Sequence, residues 1–188
     1  MKILKCKSIT MVIGLRKAIK KQQEVFLYNE VDIASILYGE KSPPFNKDVV
    51  RRNKIIPAPL NIVGGPIVSV IGDLNFVMVT KEKTAWCTEI REAFVEWLKC
   101  KELNAEIHKN DMLIDSKKFS GSTHFVQNGM NCEGFMVAMK NSEELVRQIC
   151  TKPMEKVPTG LSDYGVTKEE VFEFVDNFTE DWMHRNGK

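Results

Sequence analysis

The chain has 188 residues, 43% of them hydrophobic and 28% charged, which excludes disordered and fibrous classes and suits one well-packed domain over 1–188. Its 27 basic and 25 acidic residues leave a formal net charge of +2, too little to hold a nucleic acid by electrostatics alone, and no apolar run reaches membrane-spanning length. Five cysteines, Cys6, Cys87, Cys100, Cys132 and Cys150, form no CxxC pair, which points to a reducing compartment such as the cytoplasm and away from a disulfide scaffold or zinc knuckle.

The first 23 residues hold Lys2, Lys5, Lys7, Arg16, Lys17, Lys20 and Lys21 and no acid. That pattern is open to a mitochondrial-type presequence, and so to the mitochondrial matrix in a eukaryote, as well as to folded structure. Met11 to Lys21 suits a short helix, with Leu15 and Ile19 four apart. Glu24 to Tyr38 is rich in β-formers and reads as two strands joined by a turn near Asn29-Glu30. Ser42-Pro43-Pro44 breaks the chain. Phe45 to Asn53 suits a short helix with Asn46 as its cap. Gly64-Gly65 reads as a turn feeding a strand at Ile67-Val68, and Leu74 to Thr80 as the next strand.

Lys81 to Leu103 carries the clearest helical pattern, with Trp86, Ile90, Phe94, Trp97 and Leu98 on one side and glutamates elsewhere. Ala105 to His108 and Met112 to Ile114 read as strands around an Asn110-Asp111 turn. Phe119 to Phe125 and Gly134 to Met139 are further strands, with Gln127-Asn128-Gly129 turning between them. Ser142 to Thr151 is helical. Thr167 to Glu170 is a capping box opening a last helix, whose stripe of Val171, Phe174, Val175, Phe178 and Trp182 faces the core. The expected fold class is α+β: mostly antiparallel sheets, a long central helix and flanking helices. Strands separated by short turns argue against a doubly wound parallel sheet.

One run stands apart. Residues 107–122, IHKNDMLIDSKKFSGS, read as strand, turn and strand, with Lys118 just before a Ser-Gly-Ser turn. The run resembles the stretch that carries the catalytic lysine in the lipoate–protein ligase and biotin–protein ligase family, where Arg-Asn-Asp-Leu precedes Lys-x-Ser-Gly-Ser or Ser-Gly-Asn. Asn110, Asp111, Lys118, Ser120, Gly121 and Ser122 fall on those positions. Residues 63–76, from Val63 to Phe76, are similar to the family's Gly-Gly-Gly-Ala-Val-x-His-Asp-x-Gly-Asn-Leu-Asn-Phe, matching at Gly64, Gly65, Gly72, Leu74, Asn75 and Phe76. Pro158 to Tyr164 resembles its Arg-Val-Thr-Asn-Leu-Ser-Glu-Tyr segment.

The resemblance spans roughly Ile13 to Trp182 and implies a biotin/lipoyl ligase-like catalytic domain, akin to class II aminoacyl-tRNA synthetases, without the accessory C-terminal domain that many such ligases carry. It implies an enzyme that activates lipoate or octanoate with ATP and Mg²⁺ to an acyl-adenylate such as lipoyl-AMP. The acyl group would then pass to a lysine of a lipoyl carrier domain, of the glycine cleavage H protein or 2-oxoacid dehydrogenase E2 type. In that reading Lys118 is catalytic and sits on acyl carboxyl and phosphate, the charge that shifts in the reaction. Asn110, Asp111, Ser120, Gly121, Ser122, Gly64 and Gly65 line the nucleotide and acyl site, and Asp111 also serves the metal. From its residues alone Asp111 reads equally as a turn former.

The departures are specific. Pro59 and Leu60 stand where the family has two arginines, Val63 where it has its first glycine, and Ser69-Val70 where it has His-Asp. Cys132-Glu133-Gly134 replaces His-His-Gly. These changes keep open a degenerate subunit of the same fold that binds a lipoyl carrier or an active ligase. A third reading is ATP-independent octanoyl or lipoyl transfer through Cys132 as a thioester, against which stands an inert buried cysteine. His108, His124 and His184 share no metal-ligand spacing.

Overall fold

The structure, a computed structural model, describes residues 1–6, 8–39, 42–59 and 67–188. Ten strands and five helices build the described chain: β1 (Lys2–Lys5), α1 (Ser8–Lys21), β2 (Val25–Glu30), β3 (Ser35–Tyr38), α2 (Lys47–Arg52), β4 (Ile56–Pro59), β5 (Ile67–Ser69), β6 (Leu74–Thr80), α3 (Trp86–Cys100), β7 (Ala105–His108), β8 (Asp111–Ile114), β9 (Lys117–Gln127), β10 (Met130–Val137), α4 (Glu143–Ile149) and α5 (Lys168–Arg185), with a 3-10 turn at Leu161–Tyr164 before α5. The α+β class is as expected. A seven-stranded sheet runs β1-β2-β6-β10-β9-β8-β7, and a three-stranded sheet runs β4-β3-β5. Among the described strands β1 with β2 and β3 with β4 pair in parallel, and the remaining pairings are antiparallel.

The basic N-terminal stretch is part of this fold. β1 takes the edge of the large sheet with all four residues exposed, while α1 buries Met11, Leu15, Ala18 and Ile19 against Val25, Leu27 and Val79 of the sheet. The opposite face is covered by α3 and α5. Trp86, Ile90, Phe94 and Leu98 of α3 and Val171 and Val175 of α5 are fully buried with Phe26, Phe76 and Phe119. Burying each such side chain contributes about 1.5–3 kcal/mol before entropy is counted. The expected stripe of α5 is rotated slightly: Thr179 is buried and accepts a hydrogen bond from the Trp86 indole at 3.3 Å, while Phe174 is half-buried beside Phe94 and Trp97 and the half-buried Phe178 stacks on Phe174.

Caps set the helix ends. Asn46 accepts from the backbone N–H groups of Asp48 and Val49 at the start of α2, and Thr167 and Glu170 form the reciprocal box at the start of α5. The central helix begins at Trp86 rather than Lys81, and its N-cap Ala85 makes no side-chain capping hydrogen bond. Glu133 of β10 does the work from outside, accepting from Thr84 N–H at 3.2 Å and Cys87 N–H at 3.3 Å.

One expected turn is strand instead, and of the two readings of Ser120-Gly121-Ser122, a turn or part of the Phe119 to Phe125 strand, the strand holds. Asn29 and Glu30 end β2, paired with Asn75 and Leu74 of β6, and the chain turns at 31–34, so β2 and β3 enter different sheets and form no hairpin. Ser120-Gly121-Ser122 is the middle of β9, paired with Val137, Met136 and Phe135 of β10. Its composition suits a turn, but the ladders on both sides hold it extended. The Asn128-Gly129 turn is as expected: both residues have positive φ, 51° and 75°, as a tight hairpin requires.

Candidate functional site

Lys118 is placed by an irregularity. Opposite β8 the register shifts, with Met112 facing Ser120 but Leu113 facing Lys118, so Phe119 is the extra residue of a β-bulge. Lys118 stays opposite Leu113 and on its other edge meets a third partner. Its N–H donates to Val157 O at 2.8 Å and its carbonyl accepts from Thr159 N–H at 2.9 Å. That partner segment is fixed by Gly160, where a Cβ would lie 2.4 Å from the backbone of Lys140. Only glycine lets the two backbones meet so closely.

The lysine head meets Asp111, with Nζ 2.8 Å from Oδ1. The pair lies across Gly121, the residue opposite Asp111 in the ladder; a Cβ there would stand 3.2 Å from Lys118 Nζ and 3.5 Å from Asp111 Oδ1. Asp111 opens β8 rather than lying in a turn. The turn is Lys109-Asn110, with Lys109 at φ 56°. It is clamped twice: the Asn110 carbonyl accepts from Ser122 N–H at 2.8 Å and Ser122 Oγ at 2.9 Å, and the Lys109 carbonyl accepts from the Arg91 guanidinium at 2.7 Å. The Ser122 hydroxyl is therefore occupied in holding the turn.

These residues wall a cleft of about 420 Å³. Asn110, Asp111, Lys118, Ser120, Gly121 and Ser122 all line it, so the sequence motif comes together in space. Facing them are β5, α4 and the loop 154–158. That loop brings Lys156, whose Nζ lies 3.6 Å from Asp111 Oδ2 and is buried without a hydrogen-bond partner. Ser120 Oγ is likewise buried and unpartnered. Thus each oxygen of the Asp111 carboxylate faces an ammonium group, while the exposed Glu155 also borders the cleft. Two ammonium groups held so close together suit a multiply charged anion, a phosphate above all. Gly121, Thr123, Ile67 and Met136 also border an adjoining apolar branch of about 80 Å³, walled by Met11, Leu15, Leu37, Val77 and Phe125.

Gly64 and Gly65, with Leu60 and Val63, lie outside the described residues. Sequence reading missed Lys156 and Arg91. Lys156 sits in an irregular loop with no motif of its own, and Arg91 lies on the buried side of α3, where an arginine signals a tertiary partner without naming it.

Cys132 does not fit a nucleophile. It is fully buried and burial pushes its thiol up to about 12, so thiolate is scarce at neutral pH. It pairs with Phe125 of β9, seven residues from Lys118, or about 20 Å along a strand, too far for a lysine to assist it. It serves instead as wall of the apolar branch. At the positions of the absent histidines, Ser69 is buried with its hydroxyl on Met136 Sδ at 3.1 Å, and Glu133 is committed to capping α3. His124 is exposed, 3.4 Å from the Asn131 side-chain oxygen, and outside the main cleft. Among the described residues no group of three or more His, Cys, Asp or Glu side chains is placed to hold a metal ion, and no helix is long and apolar enough to cross a membrane.

Neither a protein-family model nor the sequence of a curated protein matches the chain. Solved structures do. A protein of T. acidophilum with bound lipoic acid superposes with a TM-score of 0.77 at 18% identity, over 97% of this chain and 86% of that one. A bi-partite lipoate protein ligase, from a study of its E2 lipoyl domain in Thermoplasma acidophilum, gives 0.75 at 18% identity, over 97% and 82%. A lipoate-protein ligase A bound with ATP gives 0.76 at 18% identity, over 97% and 84%. The chain has the fold of the lipoate ligase catalytic domain, as its motifs led us to expect.

Proposed function

We propose that the chain is a lipoate–protein ligase-like enzyme, which uses ATP to form an acyl-AMP from lipoate or octanoate and transfers the acyl group to a lysine of a lipoyl carrier domain. One observation carries this reading: a cleft with two ammonium groups around a carboxylate shares the wall residue Gly121 with an adjoining apolar branch. An acyl-adenylate has that division, a phosphodiester joined through a carbonyl to a hydrocarbon chain. The similar structures add weight, since they include proteins bound to lipoic acid and to ATP and one studied with its E2 lipoyl domain.

In the first step a carboxylate oxygen of the acid attacks the α-phosphorus, the bond to pyrophosphate breaks, and pyrophosphate leaves with the electron pair. Lys118 stabilises the charge gathering on the α-phosphate and keeps the carboxylate in line. Gly121 lets the chain pass from phosphate site to apolar branch without a side chain in the way. In the second step the amine of the carrier lysine attacks the acyl carbonyl, the bond from carbonyl carbon to phosphate oxygen breaks, and AMP departs; the amine's proton is lost to solvent. The amide product holds the acyl group on the partner. Mg²⁺, when bound, draws charge from the phosphates. Asp111 and Glu155, both on the cleft wall, would hold it, and one or two carboxylates suffice where phosphate oxygens complete the shell.

The test is lipoate- or octanoate-dependent exchange of pyrophosphate into ATP, run beside binding of a non-hydrolysable lipoyl-AMP analogue. Exchange and saturable binding that both collapse in Lys118→Ala are expected. Absence of both in the folded wild-type protein overturns the proposal. The degenerate-subunit reading draws on Ser69 and Glu133, which leave no imidazole where the family places one. It requires that titration show carrier or ligase-subunit binding with no nucleotide binding.

A further inference from the structure

Lys156 is the feature of the cleft that neither the motif nor the fold demands. Its side chain is 16% exposed, yet its Nζ is buried and donates no hydrogen bond. The nearest carboxylate oxygen, Asp111 Oδ2, stands at 3.6 Å, while the other oxygen of that group is held at 2.8 Å by Lys118. An ammonium with three donors and no acceptor is costly in a desolvated place. The backbone gives it little freedom to leave: Val157 and Thr159, on either side of Pro158, are hydrogen-bonded to Lys118, and Gly160 is locked on Lys140. The chain therefore holds a second cation beside the first through the same three-residue pairing.

We infer that Lys156 is a second phosphate-binding cation of this cleft, working with Lys118 on a polyphosphate group and completing its hydrogen bonds only when that group is present. With the site empty, Asp111 is the shared counter-ion that keeps two like charges together. With phosphate oxygens in the cleft, each lysine gains acceptors of its own. The substrate class this selects is a nucleoside triphosphate rather than a free acid alone. The inference deepens the ligase reading where the anion is the triphosphate of ATP, and stands apart from it in its first test.

The probe is inorganic pyrophosphate with Mg²⁺, titrated into wild type, Lys156→Met and Lys156→Arg, with thermal melts of all three. We expect Lys156→Met to bind roughly tenfold or more weakly, as loss of a charge-assisted contact implies, and Lys156→Arg to recover most of the loss. We also expect Lys156→Met to melt no lower than wild type, because it removes an unsatisfied charge; a merely structural lysine would lower the melt instead. Equal pyrophosphate binding by wild type and Lys156→Met overturns the inference, as does failure of wild type to bind. The ligase reading is judged separately, by lipoyl-AMP analogue binding. Pyrophosphate bound through Lys156 without analogue binding would retain this site and discard the acyl chemistry.

Discussion

The two ends of β9 are built to different rules. From Thr123 to Gln127 the strand keeps unbroken antiparallel register with β10 and closes through two left-handed residues, Asn128 and Gly129. From Lys117 to Ser122 it carries a bulge, pairs with a third segment at Pro158 and supports the Lys118–Asp111 ion pair. The regular end is ordered by its ladder and its own turn, with Phe125 packed against α1. The irregular end is held by residues far away in sequence, Gly160 and Arg91 among them. A plain ladder can only alternate side chains between two faces; putting a cation at the mouth of a cleft takes a departure from the ladder and a scaffold to keep it.

Substitutions at the two ends should therefore separate activity from stability. Lys118→Ala has the largest expected effect: a loss of about 10²–10³ in acyl-adenylate formation, with the thermal melt unchanged, read by pyrophosphate exchange. A comparable fall in melting temperature would mean that the lysine is structural. Gly160→Ala comes next. Its Cβ cannot fit against Lys140, and folding should weaken by about 3 kcal/mol, within the range for overpacking, measured by urea unfolding.

The third effect is one of pH. Asp73 is buried, with Oδ2 accepting from Val70 N–H and Oδ1 from Met139 N–H, next to the Lys140 on which Gly160 rests. Burial raises its carboxyl from 3.8 to about 7, against the pull of those two N–H groups and of Lys140. The folded state thus keeps a proton that the unfolded chain releases, so stability falls as pH rises from about 4 to about 7, by up to about 1.4 kcal/mol per pH unit. Urea melts across that window check it, and Asp73→Asn should flatten the slope. Glu170 works the other way: the Lys101 hydrogen bond, then those from Thr167, lower it to about 2, so its contribution is present above about 4.5 and is lost as pH falls toward 2.

Gly121→Val should displace the Lys118 head and cost about tenfold in turnover, with little change in unfolding. Gly129→Ala is the smallest. Alanine at φ 75° costs about 1 kcal/mol, and activity should be untouched. Loss of activity there would remove the distinction between the ends.

The same distinction governs what the sequence disclosed. Amphipathic spacing located α1, α3 and α5, and Asn-Gly located the hairpin, because each depends on neighbours within a few residues. Ser120-Gly121-Ser122 reads as a turn from its own composition, and only the ladders on either side keep it straight. Motif spacing did collect Asn110, Asp111 and Lys118 on one wall. It could not show Lys156, which arrives from a loop 38 residues beyond Lys118, nor Arg91, which reaches the site's turn from helix α3.

Strand β1 ends the large sheet with one row of backbone N–H and C=O groups facing outward, and Ile3 and Leu4 are exposed upon it. Such an edge is a template for association with a second chain in extended form. Lys2 and Lys5 bracket the two apolar residues, so another copy drawing alongside would bring ammonium groups toward ammonium groups. Such charges oppose edge-to-edge pairing, and the opposition weakens as salt shortens the reach of charge.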